Sequence, residues 1–276
     1  MITIPVAVNN RLFQWQSSLF QYAQKKVYRD ESISNSILLI ADRNSPEAIT
    51  QEVNWDLKIP HKIVKGIHSI LSIHDVHPYF SAGNLFFTIK QILEDLDDNE
   101  ILCIIDCDVV PLKKYNGPLP GENEALTCNL YEDWHMFMKD PGKKNFYVVE
   151  PHLNHNTYEY MDGGFVPIII TVKTLKKIID EVIDLSIIIA RNYLESPFGW
   201  WMQMWAFQIA CHNKRIKCVS QDNTYFPGIN KFDVDKHYFA HYSCDPLFNK
   251  STFPNHNTGN FPYDNFYNLV REWYFR

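Results

Sequence analysis

The sequence predicts an α/β protein with a mostly parallel central sheet flanked by helices and a less regular C-terminal half. Three observations predict it. Short β-rich runs alternate with amphipathic stretches of helical period through the first half, which is the pattern of βαβ units. Runs such as "SILLIAD" and "ILCII" are continuously apolar, as strands covered on both faces are. The 276 residues are 46% hydrophobic and 21% charged, far from the low hydrophobicity and high net charge that keep a chain unfolded.

The elements follow in order. "ITIPVAV" reads as a strand and "WQSSLFQYAQKKVY" as an amphipathic helix. "SILLIAD" is a second strand and "HKIVKG" a third. "SAGNLFFTIKQILEDL" carries apolar residues at helical spacing and opens after a serine, a helix-start signal. "ILCIIDCD" is the fourth strand. Beyond it, "EALTCNLY" reads as a strand, and "NHNTYEYMDGGFVPIIIT" as a loop, a Gly-Gly turn and another strand. "KTLKKIIDEVIDLSIIIARNYL" and "GWWMQMWAFQIACHNK" read as helical regions, "IKCVSQD" and "KHYFAHYS" as late strands. The tail is rich in Asn, Pro and aromatics and reads as ordered coil wrapped on the body. There is no internal repeat, low-complexity tract or linker, so the expectation is a single domain over residues 1–276.

A net charge of −6 and a pI near 6.0 argue against a nucleic-acid binder, which shows a basic excess. "MITIPVAVNNRLFQW" lacks the basic region of a signal peptide and reads as a first strand. Apolar runs such as "GFVPIIITV" fall short of the roughly 18–20 residues of a spanning helix. The expectation is a soluble, cytoplasmic chain without a transmembrane segment. Cys103, Cys107, Cys128, Cys211, Cys218 and Cys244 form no Cys-x-x-Cys pair and read as buried free thiols in a reducing compartment. Oligomeric state is not legible.

The chemistry begins at "ILCIIDCDVVPLKKY", where Asp106 and Asp108 follow a buried run. Ligands of open α/β sheets bind outside the carboxyl ends of the strands, and residues two apart on an extended chain point to the same side. Two carboxylates crowded there repel, and one is driven to protonate. A divalent cation removes that penalty, and hard oxygen ligands suit Mg²⁺ or Mn²⁺. Such metals in turn hold phosphates, so the pair points to a nucleotide–metal site. The bland alternative is a solvated turn after the strand.

An apolar strand, Asp-x-Asp, then a proline and a basic stretch resembles a GT-A-type (Rossmann-like) nucleotide-sugar glycosyltransferase. "QWQ" (Gln14 to Gln16), "YFSAGNLFFTIKQIL", "GGFVPIIITVKTLKKI", "GWWMQMWAF" and "HYSCD" followed by "FNKSTF" resemble, in order, segments of the plant hydroxyproline arabinosyltransferase and peptidyl-serine galactosyltransferase group. The resemblance implies transfer of a sugar from a nucleotide-sugar donor, UDP-linked, to a carbohydrate or hydroxyl-bearing acceptor. Residues 1–115 would be the nucleotide-binding half and 116–276 the acceptor side. It also implies retention of anomeric configuration.

The same resemblance assigns residues. Asp106 contacts ribose or metal, and Asp108 ligates the metal. His241, in "YFAHYSC", completes the set, although on its own it reads as a satisfied core histidine; His237 shares its strand face. Lys250 is placed near the diphosphate, where a cation stabilises leaving-group charge; a solvated surface lysine is the plain alternative. Asp162, Gly163 and Gly164 fall beside donor sugar and acceptor, with glycines for close backbone approach and Asp162 a hydrogen-bonding group, or a general base if the enzyme inverts. An Asp-Gly turn is the plain alternative.

Trp200, Trp201, Trp205, Met202 and Met204 form an aromatic and methionine stripe, ordinarily core, that also has the chemistry to stack on sugars. Gln203 stands where the resembling family tends to carry Glu; an amide still orients a sugar, and Glu195 is the nearest acid. Asn9, Asn10 and Arg11 after the first strand, and Asn84 at the start of a helix, are positioned for base and ribose.

Two other readings remain at this point. "IIDCDVV" also fits the first motif of a haloacid-dehalogenase-type phosphatase, but the later acidic motif of that family is missing and the pair comes after three strands rather than first. The other is a non-catalytic, sugar-binding GT-A relative.

Overall fold

The first strand, β1 (Ile2–Val8), is buried along nearly its whole length. Its neighbours are built the same way: β2 (Leu38–Asp42) is buried throughout, and β4 (Ile101–Asp106) is buried from Leu102 to Ile105. Each Leu or Ile removed from water in this way contributes about 1.5–3 kcal/mol, which is why apolar runs take central places. In this computed structural model, residues 1–9, 11–29, 35–42, 55–69, 83–128, 152–154, 163–192, 202–227, 229–242 and 265–275 are described.

A seven-stranded sheet has the order β3-β2-β1-β4-β7-β6-β8, with β3 (His61–Lys65), β6 (Glu124–Cys128), β7 (Phe165–Thr171) and β8 (Lys217–Gln221) completing it. The β1–β2, β2–β3, β1–β4 and β6–β8 pairs are parallel. β7 alone is reversed, antiparallel to β4 and β6. The carboxyl ends of the other six strands therefore share one edge with the amino end of β7. Pro167 sits inside β7, where it cannot donate to a ladder. The β6–β7 register shifts between Leu126 and Cys128, opposite that stretch, and such an irregularity is where a central strand tolerates proline.

A second sheet, β5-β10-β9, stands at that edge. It comprises β5 (Val109–Pro111), β9 (Thr224–Tyr225) and β10 (Phe239–His241). β10 runs antiparallel to β5 and parallel to β9.

The helices are α1 (Arg11–Tyr28), α2 (Asn84–Leu93), α3 (Val172–Lys176), α4 (Ile179–Asn192), α5 (Met202–Asn213) and α6 (Asn265–Tyr274). The helical region expected from Lys173 onward is split into α3 and α4. Thr171 caps α3, its hydroxyl accepting from Thr174 N at 3.2 Å, which satisfies one of the orphan donors of a helix start. Every described side chain of α5 from Met202 to His212 is buried, so the Trp205 and Met stripe is core. Among the described residues, no helix is long and apolar enough to cross a membrane. The described cysteines are buried and form no disulfide among the described residues, as expected, while Cys244 lies outside the described residues.

The tail differs from its expectation as coil. Its last part is α6, whose Phe266, Leu269 and Val270 make one buried stripe at helical spacing. That stripe is short and set among polar residues and other aromatics, so its period is hard to see in sequence. The helix lies on α1: Trp273 Nε1 donates to Ser18 Oγ at 3.1 Å, Tyr22 OH donates to Glu272 at 2.9 Å, and Lys26 pairs with Glu272.

Candidate metal centre

Asp106 is the last residue of β4 and Asp108 lies in the short turn that leads to β5. The pair is thus not on one extended strand, as the sequence implied; a turn brings the carboxylates together. Pairing of β10 with β5 sets His241 opposite Val109. The ladder continues one step further, since Tyr242 N donates to Asp108 O at 3.2 Å. The antiparallel register therefore delivers His241 to the turn.

One ligand atom from each of Asp106, Asp108 and His241 lies within 4.8 Å of the others. His241 Nε2 is 3.4 Å from Asp108 Oδ1. Asp108 and His241 are buried and Asp106 is half-buried. Phe226 covers the imidazole, ring centroids 5.5 Å apart. Like charges in so little water are costly unless neutralised. Two carboxylates and an imidazole form a donor set that fits a small divalent cation. His241 Nδ1 is buried and has no hydrogen-bond partner among the described residues.

Tyr242 follows His241 and is fully buried, stacked on Phe266 at 5.3 Å and tilted on Trp15 at 6.0 Å. Burial pushes its hydroxyl well above the ordinary tyrosine range, and nearby Asp108 and Cys107 push the same way. It stays a donor, with Cys107 O at 3.5 Å.

Gly163 and Gly164 lead into β7, at the sheet edge that carries Asp106. Both have positive φ, 73° and 116°, which glycine alone adopts readily. The close approach visible here is internal. Gly164 N donates to Thr127 Oγ1 at 2.9 Å, and a Cβ on Gly164 would stand 2.5 Å from Gln208 Nε2. Gln208 is buried and went unnoticed in the sequence because an isolated Gln inside an apolar helix carries no signal.

Asn9 follows β1 at the same edge, its amide donating to Ala41 O at 3.0 Å. Arg11 opens α1, with its side chain outside the described residues. Asn84 opens α2; its Oδ1 accepts from Ile67 N at 2.8 Å and the side chain is buried, so it ties the exit of β3 to the helix. Gln203 is buried in the first turn of α5, its Oε1 without a partner among the described residues. Asn10, Asp162, Glu195, Trp200, Trp201 and Lys250 lie outside the described residues. His237 precedes β10 instead of sharing its face, and its Nδ1 accepts from Asp233 N at 2.9 Å.

The model of the hydroxyproline O-arabinosyltransferase family N-terminal domain matches residues 3–220. No curated protein sequence matches the chain. A solved structure of an active-site Gln-to-Glu mutant of LgtC is 12% identical at a TM-score of 0.53, covering 99% of this chain and 96% of that one. A second, of the galactosyltransferase LgtC in complex with donor and acceptor sugar analogs, is 12% identical at a TM-score of 0.49, covering 90% and 88%. The fold shared with the first is the GT-A fold.

Proposed function

The chain belongs to the hydroxyproline O-arabinosyltransferase family, and on that premise we propose that it moves a sugar from a UDP-linked donor to a hydroxyl-bearing acceptor, with Asp106, Asp108 and His241 holding Mn²⁺ or Mg²⁺ on the donor diphosphate. It is a glycosyltransferase. The observation that carries the finer reading is the convergence of those three side chains within 4.8 Å at the carboxyl edge of the sheet, where α/β proteins bind ligands. Bound there, the cation supplies a Lewis acid that neutralises charge gathering on the departing nucleotide.

The protein's own groups supply the rest. The two carboxylates present hard oxygens, and the β5–β10 ladder fixes the imidazole so that binding does not have to order it. Asn9 and Arg11, at the end of β1, are assigned to base and ribose, and Lys250 to the diphosphate. Asn84 serves the nucleotide by shaping the wall between β3 and α2. Gly163 and Gly164 set the backbone beside the sugar, with Asp162 and Glu195 as the available acids. The buried oxygen of Gln203, without a partner among the described residues, is suited to accept from a sugar hydroxyl. Retention of configuration and a single domain over 1–276 belong to the same reading. The phosphatase alternative gives way to the family match, and the non-catalytic alternative to the test.

That test is a thermal-shift and turnover panel of UDP and GDP sugars with Mn²⁺. A UDP sugar should raise the melting temperature only when Mn²⁺ is present, and EDTA should abolish the rise. Asp108→Ala should lower Mn²⁺-dependent donor turnover about 10²–10³-fold, the usual size of losing a charge-stabilising group. Absence of any nucleotide-dependent shift would overturn the reading, and a shift without turnover would make the chain a binding protein.

A further inference from the structure

Cys107 lies between the two aspartates and is 1% exposed. Its thiol donates to Gln16 Oε1 at 2.9 Å, across 91 positions of sequence. Gln16 is itself 1% exposed, on the inner face of α1. The Cys107 carbonyl faces the Tyr242 hydroxyl, and the carbonyl of the next residue takes the Tyr242 amide. The middle of the turn is thus gripped by α1 on one side and by the residue after His241 on the other. Two-residue turns have few fixed contacts of their own, so the direction of Asp106 and Asp108 depends on what holds Cys107.

We propose that Gln16 is a positioning residue, which by accepting a hydrogen bond from the Cys107 thiol fixes the turn that presents Asp106 and Asp108 to the cation. The proposal rests on the metal reading given above. A thiol is a weak donor, so the bond adds little to global stability; its consequence is orientation. Groups that orient metal ligands typically cost 10–100-fold in metal affinity when lost, and one weak contact belongs at the low end of that range. The two side chains act as a unit, so their removals are not additive.

Mn²⁺ titration of the full chain with UDP present, read by water-proton relaxation, tests this without turnover. Gln16→Met, similar in size but without the amide oxygen, should weaken Mn²⁺ binding about tenfold, with an unfolding midpoint in urea close to wild type. Cys107→Val should weaken it alike, whereas Cys107→Ser, which keeps a donor, should bind nearly as wild type. Gln16→Met with Cys107→Val should be no weaker than either alone. If Cys107→Val fails to fold, Gln16→Met and Cys107→Ser decide the matter. Wild-type affinity in Gln16→Met, or strict additivity in the double variant, overturns the positioning role. Wild-type protein that binds no Mn²⁺ overturns the metal reading and this role with it.

Discussion

His237 precedes β10 and His241 ends it, and the two face opposite demands. His241 meets two carboxylates, whereas His237 is packed between Tyr225 and Phe232, ring centroids 5.9 Å from each. Burial lowers the pKa of His237. Asp222 and Asp233 pull it upward by less, while Lys236 and Lys113 add to the lowering. Its Nδ1 is already an acceptor for Asp233 N, so protonation there would break a bond that holds the loop. The unfolded chain protonates near the ordinary histidine value of about 6.5, and the folded chain only at lower pH. Stability from this group is full above that value and falls as pH drops through the folded pKa. Urea midpoints at pH 7.5, 6.5 and 5.5 should therefore decline on the acid side, and the decline should be shallower in His237→Asn. An unchanged slope would refute the assignment. At this scale the sequence was legible where chemistry is local. Asp106 and Asp108 announce themselves by following an apolar run. Gln16 and Tyr242 do not, because what makes them matter is a partner 91 and 135 positions away.

Elements are legible when their period is long enough to see. β1, β2, β4 and β7 are runs of apolar residues, and α1 and α2 have clear amphipathic faces. β5 and β9 have three and two residues, too few for any period, and they exist because partners from elsewhere complete their ladders, while β10 falls inside the run "KHYFAHYS" that reads as a strand. The entry to β7 is a stricter case. Gly164 combines φ of 116° with a side chain pressed against it. Alanine there meets backbone strain of about 1–3 kcal/mol and overpacking against Gln208 of about 1–3 kcal/mol. Gly164→Ala should thus cost about 2–6 kcal/mol in urea unfolding. Gln208→Ala in that background should return the packing part and leave the strain, giving a coupling of about 1–3 kcal/mol. Simple additivity of the two substitutions would show that Gln208 is not what crowds the glycine.

Across the whole molecule, the family match and the site do not end together. Residues 3–220 contain the main sheet almost to its last residue, while β9, β10 and α6 come after it. His241 is thus supplied from beyond the matched stretch. Beside the β5–β10 ladder, the return of α6 to α1 anchors that remainder. It has two sides: a charged one, where Lys26 and Glu272 are about half exposed, and an apolar one, where Phe266 is wholly buried against Tyr242. The contacts with α1 join residues some 250 positions apart, which no local pattern foretells. Their weights differ by physics. A half-exposed ion pair is worth about 0–1 kcal/mol, and a buried Phe truncated to Ala costs about 3–5 kcal/mol. Glu272→Gln should therefore shift the urea midpoint little, and Phe266→Ala should shift it strongly. Because Phe266 supports the ring next to His241, Phe266→Ala should also weaken Mn²⁺ binding under conditions where the chain remains folded, while Phe266→Leu, which keeps apolar volume, should do so less. If Glu272→Gln proved the costlier change, the C-terminal helix would be held by its charges, and the buried aromatic stack would not be what steadies the ring next to His241.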